Sequence, residues 1–147
     1  MMIISPSISE VLRGIIHEIG GSFKNDLDPV KSAQIDTIIG VLGSCAMRAD
    51  HQARFIKEET SAIRNLAENY IASGGSSDAI KTCLSDMDSA QTGEALYEKA
   101  SETLSAICDM GQAISPDLSN EVFALLEQRL TNETTIIGGG FEAAGRG

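Results

Sequence analysis

Tryptophan is absent from this chain, and with two tyrosines and four phenylalanines the aromatic share is only 4%. Strands favour aromatic and β-branched side chains in alternation. No sustained period-two run bounded by turn residues occurs here, so a sheet protein is not expected. Basic residues are also scarce, 11 against 21 acidic ones, for a formal net charge of -10. No stripe of Lys or Arg offsets that surplus, so a phosphate backbone would be repelled and no nucleic acid partner is expected. Long apolar runs are missing as well. The longest uncharged one, Thr37 to Met47, falls far short of the roughly 20 residues that cross a bilayer, and it reads as a buried helix segment. The N-terminus, Met1-Met2-Ile3-Ile4-Ser5-Pro6, has neither the basic start nor the apolar length of a secretory signal. A cytoplasmic protein without membrane contact is the expectation.

Cysteine is sparse too. Cys45, Cys83 and Cys108 are odd in number and widely spaced, and each falls on an apolar helical face in the pattern below. They read as buried reduced thiols rather than as a disulfide or a reactive site. Asn132-Glu133-Thr134 matches the glycosylation tripeptide, which carries weight only in secreted chains.

What is present is helical periodicity. The apolar share is 42% over 147 residues, enough to fill one core. Behind Ser5-Pro6, a start signal, Ile8, Val11, Leu12, Ile15, Ile16 and Ile19 recur every three to four residues and predict a first helix with one apolar stripe. Asp28-Pro29 repeats the start signal. From Ile35 the positions 35, 38, 42, 45, 49, 53, 56, 63, 67 and 70 keep a near-heptad rhythm that skips only Thr60, which predicts one long helix of about 40 residues. Gly40 and Gly43 bare one side of it, permitting close approach by another helix or a kink. A turn at Ser73 to Asp78 precedes a short segment carrying Ile80, Cys83, Leu84 and Met87. The next helix presents Leu96, Ala100, Leu104, Ile107, Cys108, Gly111 and Ile114. Ser115-Pro116 opens the last one, with Leu118, Val122, Leu125, Leu126 and Leu130 inward. The fold class expected is all-α, an antiparallel bundle of four to five helices, one of them long. It forms a single bundle domain over 1–135, followed by a flexible glycine-rich tail over 136–147.

Motifs that carry chemistry are thin. A carboxylate-bridged metal site needs Glu-x-x-His on facing helices, and neither His17 nor His51 completes it. Asp26/Asp28 and Asp86/Asp88 lack the glycine and distal glutamate of a calcium loop, so they read as solvated turn residues. No serine sits in a Gly-x-Ser-x-Gly elbow, and the three glycines 138–140 have no following helix start that would cradle a phosphate. No catalytic residue, metal or cofactor is therefore expected. Two places remain of interest. Ile136, Ile137 and Phe141 are apolar anchors on the expected tail, suited to docking on a partner or a neighbouring subunit. Around Arg48 to Arg64 the second half of the long helix is polar, and its Phe55 and Ile56 would need cover from another chain if that half projected.

The order of these features, Pro6 before an apolar first helix, a long second helix with Ile38-Ile39-Gly40-Val41-Leu42 followed by Arg48 and Glu58-Glu59, a glycine-rich break and a Pro116-led final helix, resembles one bacterial family. That family is the small uncharacterised helical domain found beside acyl-CoA dehydrogenases and aminoglycoside-phosphotransferase-like kinases. The resemblance covers most of the chain up to about Leu130 and departs from it in the glycine-rich end. It implies an accessory role in acyl-CoA or related degradative metabolism and carries over no catalytic residue.

Two function classes follow. The first is a non-catalytic helical protein acting by protein contact, as a homo-oligomer or accessory subunit. The second is a small-molecule site or small enzyme between helices one, two and four, where Ile39, Met47, Tyr70 and Tyr97 would line a cavity near Gly40 and Gly43. His17 or His51 would be its titratable group.

Overall fold

A computed structural model describes residues 6–23, 28–75, 77–110 and 115–145 of the chain. Five helices account for nearly all of it: α1 (Ile8–Ser22), α2 (Pro29–Ala72), α3 (Asp78–Ser89), α4 (Gly93–Asp109) and α5 (Pro116–Ala143). No strand occurs among the described residues, so the protein is all-α. None of the described helices is long and apolar enough to cross a membrane.

Each start satisfies the N–H groups that a first helical turn leaves unpaired. In α1 the cap is Ser7, two residues beyond the expected Ser5, which lies outside the described residues. Ser7 Oγ accepts from Glu10 N at 3.2 Å, and Ser7 N donates back to the Glu10 carboxylate at 2.6 Å. Glu10 supplies the reciprocal partner of a capping box, and nothing near Ser5 could. Asp28 Oδ1 accepts from Val30 N and Lys31 N, both at 3.0 Å, at the head of α2. Ser77, Thr92 and Ser115 do the same for α3, α4 and α5. Gly74, at φ +92°, closes the end of α2 in a left-handed conformation that favours glycine.

The chain packs as two compact units. One is built from the described residues up to Gln52 and from Thr131 onward; the other is Ala53–Leu130. In the second unit Ile63, Leu66 and Ala67 of α2 meet Ile80 and Met87 of α3, Ala100, Leu104 and Ile107 of α4, and Leu118, Val122 and Leu125 of α5. Burying each of the larger side chains contributes about 2 kcal/mol. In the first unit the buried side chains are fewer and smaller, with Ile39, Ala46 and Ile136 the apolar ones and Ser9 and Asn132 the polar ones.

Several inward positions differ from those expected. On α1 the stripe divides: Leu12, Ile16 and Ile19 are half-buried, whereas Ile8, Val11 and Ile15 are exposed, because six apolar positions cover more of the circumference than one neighbour can cover. In the first half of α2 the buried positions are 39, 43 and 46, while 38, 45 and 49 face solvent. Gly43 carries no hydrophobic signal, yet its missing side chain lets another helix come close and its face turns inward. Thr60, skipped in the rhythm, is buried and donates to Ile56 O at 2.7 Å. Cys45 and Cys108 are exposed and Cys83 is half-buried, all three as free thiols. Leu126 and Leu130 point outward. Gly111 and Ile114 lie outside the described residues.

The largest difference concerns the expected tail. Helix α5 continues through Ala143, and Ile136 is only 3% exposed. Gly139 and Gly140, which read as part of a flexible segment, are packing positions.

Candidate interaction surface

Within the first unit α2 and α5 run antiparallel and approach closely over glycine. A Cβ placed on Gly43 would lie 2.5 Å from Ala143 Cβ and 2.8 Å from Gly139 O, and one on Gly140 would lie 2.6 Å from Gly40 O. Met47 occupies the space a side chain on Gly139 would need, and Ser44 the space of one on Gly140. Arg48 pairs with Glu133 at 3.4 Å across the same contact. Helices that touch over bare backbone leave a groove on either side. On one side Arg13 and Ile16 of α1 line a cleft with Gly43, Met47, Gly139 and Glu142.

On the other side lies an open groove of about 390 Å³. Asp36, Thr37, Gly40, Val41, Ser44, Cys45 and Arg48 form one wall, and Ile137, Gly140, Phe141 and Ala144 the other. Val41, Ile137 and Phe141 remain 59%, 50% and 54% exposed. The groove is apolar in its middle, with an acid and a base at its two ends on α2. Two of the three anchors expected on the tail, Ile137 and Phe141, therefore stand together as groove wall, while Ile136 belongs to the core.

Helix α1 is held to α2 by a polar network at Asp50. Arg13 Nη2 meets the Asp50 carboxylate at 2.6 Å. A hydrogen bond from Ser9, then that contact with Arg13, hold the Asp50 carboxyl below its ordinary value of 3.8. Ser9 in turn shares a 2.9 Å hydroxyl contact with Ser7. His17, on the same helix, is exposed, and His51, beside Asp50, is half-buried.

The second unit holds the other polar cluster. Arg129 of α5 places Nε 3.1 Å from Glu59 Oε2 of α2. Its Nη2 donates to Tyr97 Oη at 2.6 Å and to Ser101 Oγ at 3.1 Å on α4, and the guanidinium lies 5.2 Å from the centre of the Tyr97 ring. The Glu59 side chain is only 6% exposed, so this is a nearly buried ion pair spanning three helices. Arg129 was not singled out from sequence, and Glu59 only as part of a polar stretch, yet a signal existed: both fall in phase with the buried stripes of their helices, 118-122-125-129 and 59-63-66.

The candidates for a small-molecule site separate. Tyr97 is engaged by Arg129. Tyr70 packs its ring against the Gly75 backbone. Both belong to the second unit, whereas Gly40, Gly43, Ile39, Met47, His17 and His51 belong to the first. The space a side chain on Gly43 would need is taken by α5, and of these candidates Met47 lines the cleft beside it. Phe55 and Ile56 are half-buried in the second unit, with the Arg54 guanidinium 5.2 Å from the Phe55 ring centre. No group of three or more His, Cys, Asp or Glu among the described residues is placed to hold a metal ion. Comparison of the chain with protein families, curated proteins and solved structures gives no match.

Proposed function

We propose that the chain is a non-catalytic helical bundle protein that works through protein–protein contact, and that the open groove between α2 and α5 is its contact surface. The observation that carries this reading is the groove itself, where Val41, Ile137 and Phe141 stand half exposed or more around a floor of glycine. Leaving large apolar side chains together in water is costly unless a partner removes them from it. Of the titratable groups on the groove wall, Arg48 is engaged with Glu133 in joining α2 to α5, and Asp36 and Arg48 stand at opposite ends of the apolar middle. The resemblance in plan to helical domains beside acyl-CoA dehydrogenases adds an accessory place in acyl-CoA or degradative metabolism to this reading.

A thermal-shift screen of the full chain against acyl-CoAs, divalent metals and aromatic acids tests it. A small molecule present at 100 times its Kd would raise Tm by about 5–10 °C. The contact reading expects no such rise. A dose-dependent rise that is lost in Phe141→Ser would replace it with a small-molecule site in the same groove.

A further inference from the structure

We propose that the partner seated in this groove is a second copy of the chain, whose α1 lies along α2 with its outward stripe against the groove edge; the assignment rests on the contact reading above. Two exposed surfaces on the same unit share one spacing. On α1 the exposed positions Ile8, Val11 and Ile15 lead to Glu18; on α2 the exposed positions Ile38, Val41 and Cys45 lead to Arg48. Both run i, i+3, i+7, i+10, the seam that two helices use to pack side by side, and the residue numbers differ by thirty at each step. They end in opposite charges.

Direction follows from those charges. Placing Glu18 of one copy beside Arg48 of the other sets α1 parallel to α2 across the interface. It also brings Asp36, at the far end of the groove, to the start of the incoming α1, where the helix dipole is positive. Arg48 already meets Glu133 through Nη2, and a guanidinium carries five N–H donors. Within one copy α1 and α2 are antiparallel, since Arg13 meets Asp50 while Gly20 lies beside Ile39. A two-fold axis perpendicular to the helices reverses direction, so it delivers the parallel pairing between copies that the charges require.

Area separates this closed pair from an open chain. Each apolar side chain of the two stripes offers on the order of 80 Å² of removable surface. One stripe-on-stripe contact removes about 500 Å², well below the roughly 1,000 Å² that a specific interface needs. Two-fold symmetry makes the contact twice and reaches that figure, with Ile137 and Phe141 adding to it from the α5 wall.

The test uses the full chain. Sedimentation velocity from micromolar to submillimolar concentration should show a reversible dimer. Ile15→Cys should be trapped by mild oxidation as a covalent dimer through Cys45, and adding Cys45→Ser should abolish the trap. Glu18→Arg should weaken the dimer about tenfold, and Glu18→Arg with Arg48→Glu should restore it. A chain that stays monomeric throughout, or an Ile15→Cys cross-link that persists without Cys45, overturns the second-copy assignment. The contact reading is lost separately, by a ligand-induced rise in Tm.

Discussion

At Gly43 a single methyl group decides whether α2 and α5 can touch. A β-carbon there would sit inside contact distance of both Ala143 and the Gly139 carbonyl, and backbone cannot swing aside as a side chain would. Gly43→Ala should therefore lower stability by about 1–3 kcal/mol in urea unfolding. Gly138 lies on the same helix as Gly139 with nothing within 4 Å of its would-be Cβ. Gly138→Ala should raise stability by about 0.5–1 kcal/mol, because alanine is the better helix former. Equal effects from the two changes would show that the glycine contact is not a close one. Arg129 is the second decisive residue. Arg129→Ala removes the cation beside the nearly buried Glu59 carboxylate, at a cost of about 3 kcal/mol, whereas Arg129→Met with Glu59→Met should recover most of that loss.

At the scale of the element, α1 is held by half-buried Leu12, Ile16 and Ile19, by its capping box and by its Asp50 network. Ser7→Ala should cost about 1 kcal/mol. The hydrogen bond from the Ser7 backbone holds the Glu10 carboxyl below its ordinary value of 4.5, as the Ser9 hydrogen bond holds Asp50 below 3.8. A carboxyl depressed in the folded state binds its proton later than in the unfolded chain. Its contribution is thus intact above the ordinary value and disappears as pH falls through the folded one. Unfolding followed through α1 should become easier as pH drops below about 4.5, and Glu10→Gln with Asp50→Asn should flatten that dependence. A dependence that the double variant leaves unchanged would assign it to other carboxylates.

Helix starts were the most legible elements. Asp28 and Ser115 each announce a cap by a polar side chain set just before an apolar rhythm, and each caps in the structure. Long α2 was legible from its period. What the period could not convey was which face of its first half turns inward, because Gly40 and Gly43 contribute no hydrophobic signal yet mark the face in closest contact. The same blindness affected the end of α5. Gly138-Gly139-Gly140 has poor intrinsic helix propensity, and its helical state comes from packing against α2, which no local reading of the sequence supplies. Of the groove, Ile137 and Phe141 were legible as outward anchors. Val41 was not, because it sits in a stretch that reads as uniformly apolar.

For the whole molecule, charge sets the conditions under which contact occurs. The chain carries a formal charge of -10 near neutrality and has a sequence pI of about 4.5. Two copies approaching at neutral pH repel one another over distances beyond roughly 8 Å only weakly at physiological salt, and the groove ends carry one acid and one base. Association should strengthen as pH is lowered toward the pI, where net repulsion vanishes. Light scattering from pH 8 down to 5 should follow that rise, and a mass independent of pH would show that net charge does not govern self-contact.

Because the last turns of α5 form the wall opposite α2, residues 136–143 are masonry rather than fringe. Removing residues from 136 onward would not trim a dangling end. It would open the backbone of Gly40 and Gly43 to water and withdraw Ile136 from the interior, so the shortened chain should lose α1 and the front of α2 to unfolding, while Ala53–Leu130 retains most of its own packed side chains.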